Sequence, residues 1–584
     1  MPNHTDIVDP EVVSQLSVQT LPALLDFAAK SFAAHVAMKS QYPWGFQSIT
    51  FSEFDSLYAS LGTGLTARGL GRGERVALIA ENSPEWAMVY AAVTSCGATI
   101  VPLDTQIKEN EIRHLLMHSE ARYLVTSQRI LRERIESMHL EEIDIIVIGE
   151  DESKEDTTTL AEIVSLGKEK INSGEQEFFR RRASITPEDT AAVCYTSGTT
   201  GTPKGAVLLH RNIVSNVEAC KLRIPFRQGD VFLNLLPLHH TFSTTCNLLA
   251  PLYGGCTIVY GRSMKSRDIR EDIQREEVTI LVGVPLLFEH MVAAMRRRLQ
   301  DAPKAKRLLA RFLKGLAAGL SRLLRRNVSR AIFKKQLTAS GLGSLKLLIS
   351  GAAALRPDVE EVLFALGLPI LQGYGMTEAS PVIAVNPLEK TRHGTVGTAI
   401  PGVEVRIDSP DESGIGEIIV RGPNVMKEYF KNSEATADVL RDGWLYTGDL
   451  GHMDSEGYIT IHGRKKSVIV TAGGKNVFPD ELEILLNESP FILESVVLPI
   501  QDSYGNPRIA AVIVPDYDVL GTSPELKERL TEENIRAVLT AEIEKVNAEV
   551  SNFKRIVEFQ FRDEELPKTT TRKVKRHLVT WITE

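Results

Sequence analysis

The sequence predicts an α/β protein: a large N-terminal domain of layered α/β subdomains plus a β-rich subdomain, then a small α+β C-terminal domain. Three observations carry this. Between about Val76 and Val470 short β-branched runs alternate with helical patterns, which indicates α/β layers with largely parallel sheets. After Val403-Glu-Val-Arg-Ile the texture becomes hairpin-like, with Gly414-Ile-Gly-Glu-Ile-Ile-Val-Arg-Gly and Gly457-Tyr-Ile-Thr-Ile-His-Gly separated by turn residues. From roughly Arg464, strands at Ser495-Val-Val-Leu-Pro-Ile and Ala510-Ala-Val-Ile-Val-Pro accompany a charged helix near Glu532 to Val550. The 584 residues exceed what one compact core supports, and the expected division is 1–463 and 464–584.

Taken in order, the α/β strands are Val76-Ala-Leu-Ile-Ala, Thr99-Ile-Val-Pro-Leu, Ile145-Ile-Val-Ile, Ala191-Ala-Val-Cys-Tyr, Thr279-Ile-Leu-Val-Gly-Val and Leu345-Lys-Leu-Leu-Ile-Ser. The longest uncharged run, Trp86 to Leu103, is broken by Gly97 and Pro102, so it reads as helix, glycine stop and strand rather than a membrane span. Ligands of open α/β sheets bind at the carboxyl ends of strands. That directs attention to the residues after Tyr195 and after Ile349, the latter including Gly351, Ala352 and Ala353.

Composition narrows the function classes. Hydrophobic residues make up 43% and charged residues 24%, which suits a folded globular enzyme and neither a disordered nor a membrane-embedded chain. The net charge of −8 conceals a basic stretch from Arg296 to Lys335, with fourteen Lys/Arg against Asp301. Because the basic charge is local, general nucleic-acid binding is excluded. Within that stretch Leu308, Leu309, Phe312, Leu313, Leu316, Leu320, Leu323 and Leu324 recur at helical spacing, so either an amphipathic basic helix resting on anionic lipid or a docked surface helix is expected. The five cysteines show no C-x-x-C spacing, and the first residues lack the basic start and apolar core of a signal peptide. A cytoplasmic protein, with peripheral contact to the inner face of a membrane through 296–335, is expected.

The sharpest motif is Tyr195-Thr-Ser-Gly-Thr-Thr-Gly-Thr-Pro-Lys-Gly205. Thr196, Ser197, Thr199 and Thr200 offer hydroxyls, Gly198 and Gly201 admit close backbone approach, and Lys204 adds a positive charge; together these suit phosphate. A P-loop is disfavoured because Pro203 has no N–H to donate and Ala206-Val-Leu-Leu reads as a strand where a P-loop opens a helix. A second motif, Leu371-Gln-Gly-Tyr-Gly-Met-Thr-Glu378, reads as a Gly-rich turn carrying an aromatic, a hydroxyl and a carboxylate. By itself a solvated loop fits it equally well.

The first segment resembles the phosphate-binding loop of the acyl-adenylate-forming (AMP-binding) superfamily, and further matches follow in order from roughly residue 20 to 580. The resemblance implies an AMP-forming acid–thiol ligase using ATP, Mg²⁺ and CoA. It implies nucleotide contacts from the loop and from Gly351, Ala352, Ala353, Gln372, Gly373, Tyr374 and Gly375, a phosphate contact from Thr377, and Mg²⁺ on Glu378 and Thr200. In Trp444-Leu-Tyr-Thr-Gly-Asp449 it assigns Asp449 to the ribose diol. Arg464 approaches the nucleotide and Lys466 marks an interdomain hinge, although Ser467 stands where many relatives carry Asp.

In Pro567-Lys-Thr-Thr-Thr-Arg-Lys-Val-Lys-Arg576 the candidate adenylation lysine is Lys573, preceded by Arg572 where glycine is usual. Gly473, Gly474 and Lys475 resemble the turn lining the CoA thiol tunnel, and His240 matches a position beside carboxylate and thiol. An insertion before Leu345 resembles that of long-chain fatty acyl-CoA synthetases. A fatty acid is therefore the expected substrate, with the phosphopantetheine of an acyl carrier protein as alternative acceptor. A non-catalytic lipid-binding role is the reading from another class.

Overall fold

The computed structural model describes residues 18–42, 45–149, 158–196, 203–300, 303, 328–471, 475–502, 507–522, 530–568 and 574–582. The chain divides into two compact units. The first comprises Met1–Val405, Val420–Leu445 and Glu456–Tyr458; the second comprises Arg406–Ile419, Tyr446–Ser455 and Ile459–Glu584.

Two large sheets build the first unit. One runs Glu428–Tyr429, Lys204–Leu209, Thr190–Thr196, Thr99–Pro102, Arg75–Ile79, Ala121–Ser127, Asp144–Ile148 and Thr158–Thr159. The other runs Thr398–Ala399, Val382–Val385, Ile370–Gly375, Leu347–Ser350, Ile280–Gly283, Val231–Asn234, Thr257–Tyr260, Val36–Tyr42 and Gly45–Thr50. Their centres are parallel; both edges of the second sheet are antiparallel, whereas the first is antiparallel at its Glu428–Tyr429 edge and ends parallel at Thr158–Thr159. This matches the alternating texture, because parallel strands need helical crossovers whereas edges can close by hairpins.

The uncharged run is core. Ser83 caps the helix Pro84–Ser95, every residue of which except Glu85 is buried, and Gly97 at φ +72° turns the chain into Thr99–Pro102. Trp86 and Val89 pack there with Leu61, Ile100 and Leu208. No helix among the described residues is long and apolar enough to cross a membrane. Residues 301–302 and 304–327, which hold most of the basic apolar periodicity, lie outside the described residues; the flanks form the helices Pro285–Gln300 and Ser329–Ala339.

In the second unit, Asp449–Met453 pairs antiparallel with Ile459–Arg464 within a small β-rich part that includes Gly416–Ile419. A three-stranded sheet follows: Ile492–Gln501 antiparallel to Pro507–Pro515, which runs parallel to Glu558–Phe561. The helices Pro479–Leu486 and Glu532–Glu549 cover it, burying Leu482, Leu486, Leu539 and Ile543 against Val497 and Ile513.

Candidate active site

The phosphate motif is a hairpin connection. Thr196 ends its strand and pairs in register with Lys204, which opens the next. The Thr196 hydroxyl donates to the Lys204 carbonyl at 3.4 Å. Ser197, Gly198, Thr199, Thr200 and Gly201 lie outside the described residues. Lys204 is placed by its partners: Nζ stands 5.2 Å from the centroid of the Tyr429 ring, and Tyr429 pairs with Ala206 across the adjoining strand.

The second motif differs from the turn its glycines suggest. Gln372, Gly373, Tyr374 and Gly375 belong to the strand Ile370–Gly375, which is parallel to Leu347–Ser350 and antiparallel to Val382–Val385. Gly375 serves close packing, since a Cβ there would lie 2.0 Å from the Pro381 carbonyl oxygen, whereas one on Gly373 would meet nothing nearer than 3.4 Å. The turn begins only at Met376, and Thr377–Ala379 forms a 3₁₀ turn. Gln372 and Tyr374 are buried.

Glu378 is buried, and its Oε1 accepts the Tyr429 hydroxyl at 2.6 Å. Beside it, Thr377 Oγ1 is 3.3 Å from Thr241 Oγ1. Main-chain anchors hold this turn. Met426 N–H donates to the Glu378 carbonyl, and the Asn216 amide bonds both N–H and C=O of Val382 at 3.2 and 2.7 Å. Asn424 Nδ2 donates to the Ala379 carbonyl at 2.9 Å. A buried loop must satisfy its backbone polar groups in this way.

His240 precedes Thr241 and its ring lies 4.2 Å from that of His239. Burial pushes both imidazoles below the ordinary histidine range, His239 far below, while Asp104 opposes the shift at His240. His239 Nε2 stands 3.7 Å from the Asp104 carboxylate. At the carboxyl end of Leu347–Ser350, Gly351 lies against Phe242, whose ring would be 2.7 Å from an added Cβ. Ala352 follows at φ +72°, and it and Ala353 are exposed.

The remaining candidates belong to the second unit. Asp449 Oδ1 pairs with Arg464 Nε at 2.7 Å, the two residues facing each other in register. Thr447 Oγ1 accepts from the Asp449 N–H, and Glu417 accepts from the Gly448 N–H and pairs with Lys465. Lys466 lies in the 3₁₀ turn Lys465–Ser467. The Lys475 carbonyl accepts the Thr471 hydroxyl in the hairpin of Ile469–Val470 with Asn476–Val477; Gly473 and Gly474 are outside the described residues. Lys573 is outside them as well. On either side of it Lys568 and Val574 form an antiparallel bridge, Lys568 pairs with Glu494 at 2.7 Å, and Arg576 pairs with Asp480 and Glu483.

Sequence reasoning missed Tyr429, Thr241, Asn216 and Asn424. Asn216 carried a faint signal, because Asn212 and Asn216 sit four apart on the helix His210–Arg223 and both are buried. Tyr429 carried none, since its partners are distant in sequence. Chemically, the first unit gathers a cation, a phenol, a carboxylate and two hydroxyls, a set able to hold phosphate oxygens and a hard cation.

A model of the AMP-binding enzyme family matches residues 25–430. The chain is 28% identical over 568 residues to the long-chain-fatty-acid–CoA ligase FadD15 of Mycobacterium bovis, covering 91% of this chain and 90% of that one. It is 29% identical over 480 residues to the indoleacetate–CoA ligase of Aromatoleum aromaticum, covering 80% and 84%. Among solved structures, ATP-bound MatB from Rhodopseudomonas palustris matches with a TM-score of 0.70 at 26% identity, covering 95% and 98%. The chain belongs to the AMP-binding enzyme family of adenylate-forming ligases, and its activity is that of an AMP-forming acid–thiol ligase.

Proposed function

We propose that this enzyme joins long-chain fatty acids to coenzyme A, cleaving ATP to AMP and pyrophosphate. The observation that carries the reading is the cluster of buried Tyr429, Glu378 and Thr241 with half-buried Lys204 and Thr377. Similarity to FadD15 along nine-tenths of both chains supports a long acyl substrate, and the basic, leucine-rich stretch 296–335 suits delivery from anionic lipid.

Magnesium fits the donors present. Glu378 offers a buried carboxylate with one oxygen held by a phenol, next to the Thr377 hydroxyl, and small hard cations prefer oxygen ligands; Thr200 is the further candidate. Bound there, the ion offsets negative charge on the transferring phosphate. In the first step a carboxylate oxygen of the fatty acid bonds to the α-phosphorus of ATP. The bond to the bridging oxygen breaks and pyrophosphate leaves, with Lys204, Thr196, Thr377 and Lys573 binding phosphate oxygens. Asp449 and Arg464 hold the nucleoside. His240, neutral through burial, orients the carboxylate by hydrogen bonding. In the second step the CoA sulfur bonds to the acyl carbon, AMP leaves with the electron pair of the broken C–O bond, and the thiol proton passes to solvent. Lys475 and its glycines guide the pantetheine arm.

An arylacetic acid is the second reading, favoured by the 29% identity to the indoleacetate–CoA ligase. The test supplies Mg-ATP and CoA with palmitate, in neutral or anionic vesicles, or with indoleacetate, and resolves nucleotide and acyl products by chromatography. AMP with palmitoyl-CoA, formed faster from anionic vesicles, is expected. Indoleacetyl-CoA alone overturns the long-chain assignment. Acyl-AMP without thioester points to another acceptor, such as an acyl carrier protein.

A further inference from the structure

We propose that Tyr429 is a positioning residue for the adenylation step, setting Glu378 and Lys204 in one alignment toward the metal and the phosphates. The inference rests on the assignment of those two residues to magnesium and phosphate above. Tyr429 is buried, and its ring and hydroxyl serve different partners. The hydroxyl donates to Glu378 Oε1 at 2.6 Å, so the carboxylate is fixed in one orientation with Oε1 engaged. The ring face receives the Lys204 ammonium at 5.2 Å, a distance at which the aromatic quadrupole attracts a cation.

Tyr429 is itself held by main chain. It pairs with Ala206 in the strand that Lys204 opens, its N–H donates to Thr436 Oγ1 at 2.9 Å, and the next residue, Phe430, donates to the Gly205 carbonyl at 2.7 Å. The phosphate hairpin and the Glu378 turn, 174 residues apart from Lys204 to Glu378, are thus coupled through one side chain. A tyrosine combines these functions where phenylalanine or glutamine supplies one each: phenylalanine keeps the ring and lacks the donor, and glutamine keeps a donor and lacks the ring.

The test separates the two roles by measuring equilibrium ATP binding to the full chain, with magnesium and with EDTA, alongside the thermal midpoint. In magnesium, Tyr429→Phe should bind ATP roughly 10- to 150-fold more weakly than the parent and need more magnesium for half-saturation, the scale of one hydrogen bond to a charged group. In EDTA it should match the parent, because the ring under Lys204 is intact. Tyr429→Leu should bind ATP more weakly in both conditions. Adding Tyr429→Phe to Glu378→Gln should cost nothing further if the phenol acts through that carboxylate.

An equal loss with and without magnesium, with or without a lowered midpoint, overturns the proposal in favour of a purely structural tyrosine; so does unchanged binding, or additivity in the double variant. A parent chain whose ATP affinity ignores magnesium would instead sink the metal assignment on which the proposal stands.

Discussion

His210 opens the helix His210–Arg223 and is fully buried, with Nδ1 accepting the Leu21 N–H at 3.2 Å. Burial pushes its pKa down to about 4, so the folded protein keeps it neutral while the unfolded chain takes up a proton near pH 6.5. Its contribution to stability is therefore complete above pH 6.5 and is lost as pH falls toward 4. From pH 7 to 4.5 the loss should be roughly 2–3 kcal/mol. Urea midpoints of the parent and of His210→Asn, which retains an acceptor for Leu21, check this: the variant should show a shallower acid decline. Parallel declines would show that His210 does not carry it.

At the scale of elements, the turn bearing Glu378 is held by side-chain amides on two other segments. Asn216 bonds both polar groups of Val382, and Asn424 supports the Ala379 carbonyl. Replacing Asn216 by leucine leaves the buried Val382 N–H without its acceptor, a loss of about 1–3 kcal/mol, and loosens the turn that presents Thr377 and Glu378. Denaturant unfolding should show a lowered midpoint together with weakened ATP binding. An unchanged midpoint would mean the turn is held elsewhere. Gly375 belongs to the same construction, since any side chain there meets the Pro381 carbonyl.

At the scale of the molecule, the candidate residues are divided between two compact units: Lys204, Thr241, Thr377, Glu378 and Tyr429 in the first, and Asp449, Arg464, Lys475 and Lys573 in the second. Two chemical steps with different companions make such a division useful, and they predict separable variants. Lys573→Ala should slow adenylate formation by about 10²–10³-fold, the scale of one lost electrostatic contact in a transition state. Thioester formation from supplied acyl-AMP should fall far less. Single-turnover assays of each half-reaction measure this, and equal loss in both refutes the role given to Lys573.

The sequence by itself determined the α/β class, the strands at Val76, Thr99, Ala191 and Leu345, the helix near Glu532, and the phosphate segment as a strand–loop–strand. Each is written in local periodicity and turn chemistry, which depend on neighbours a few residues apart. It also placed Thr377 and Glu378 in one motif. Only the tertiary structure decided that Gln372 to Gly375 form a strand, because that depends on pairing with Leu347–Ser350 and Val382–Val385, not on their glycines. It alone decided the hydrogen bond from Tyr429 to Glu378, the approach of Thr241 to Thr377, and the amide anchors of Asn216 and Asn424. These contacts join residues 45 to 166 positions apart, where sequence spacing carries no geometric information and only the packing of sheets and helices fixes which side chains meet.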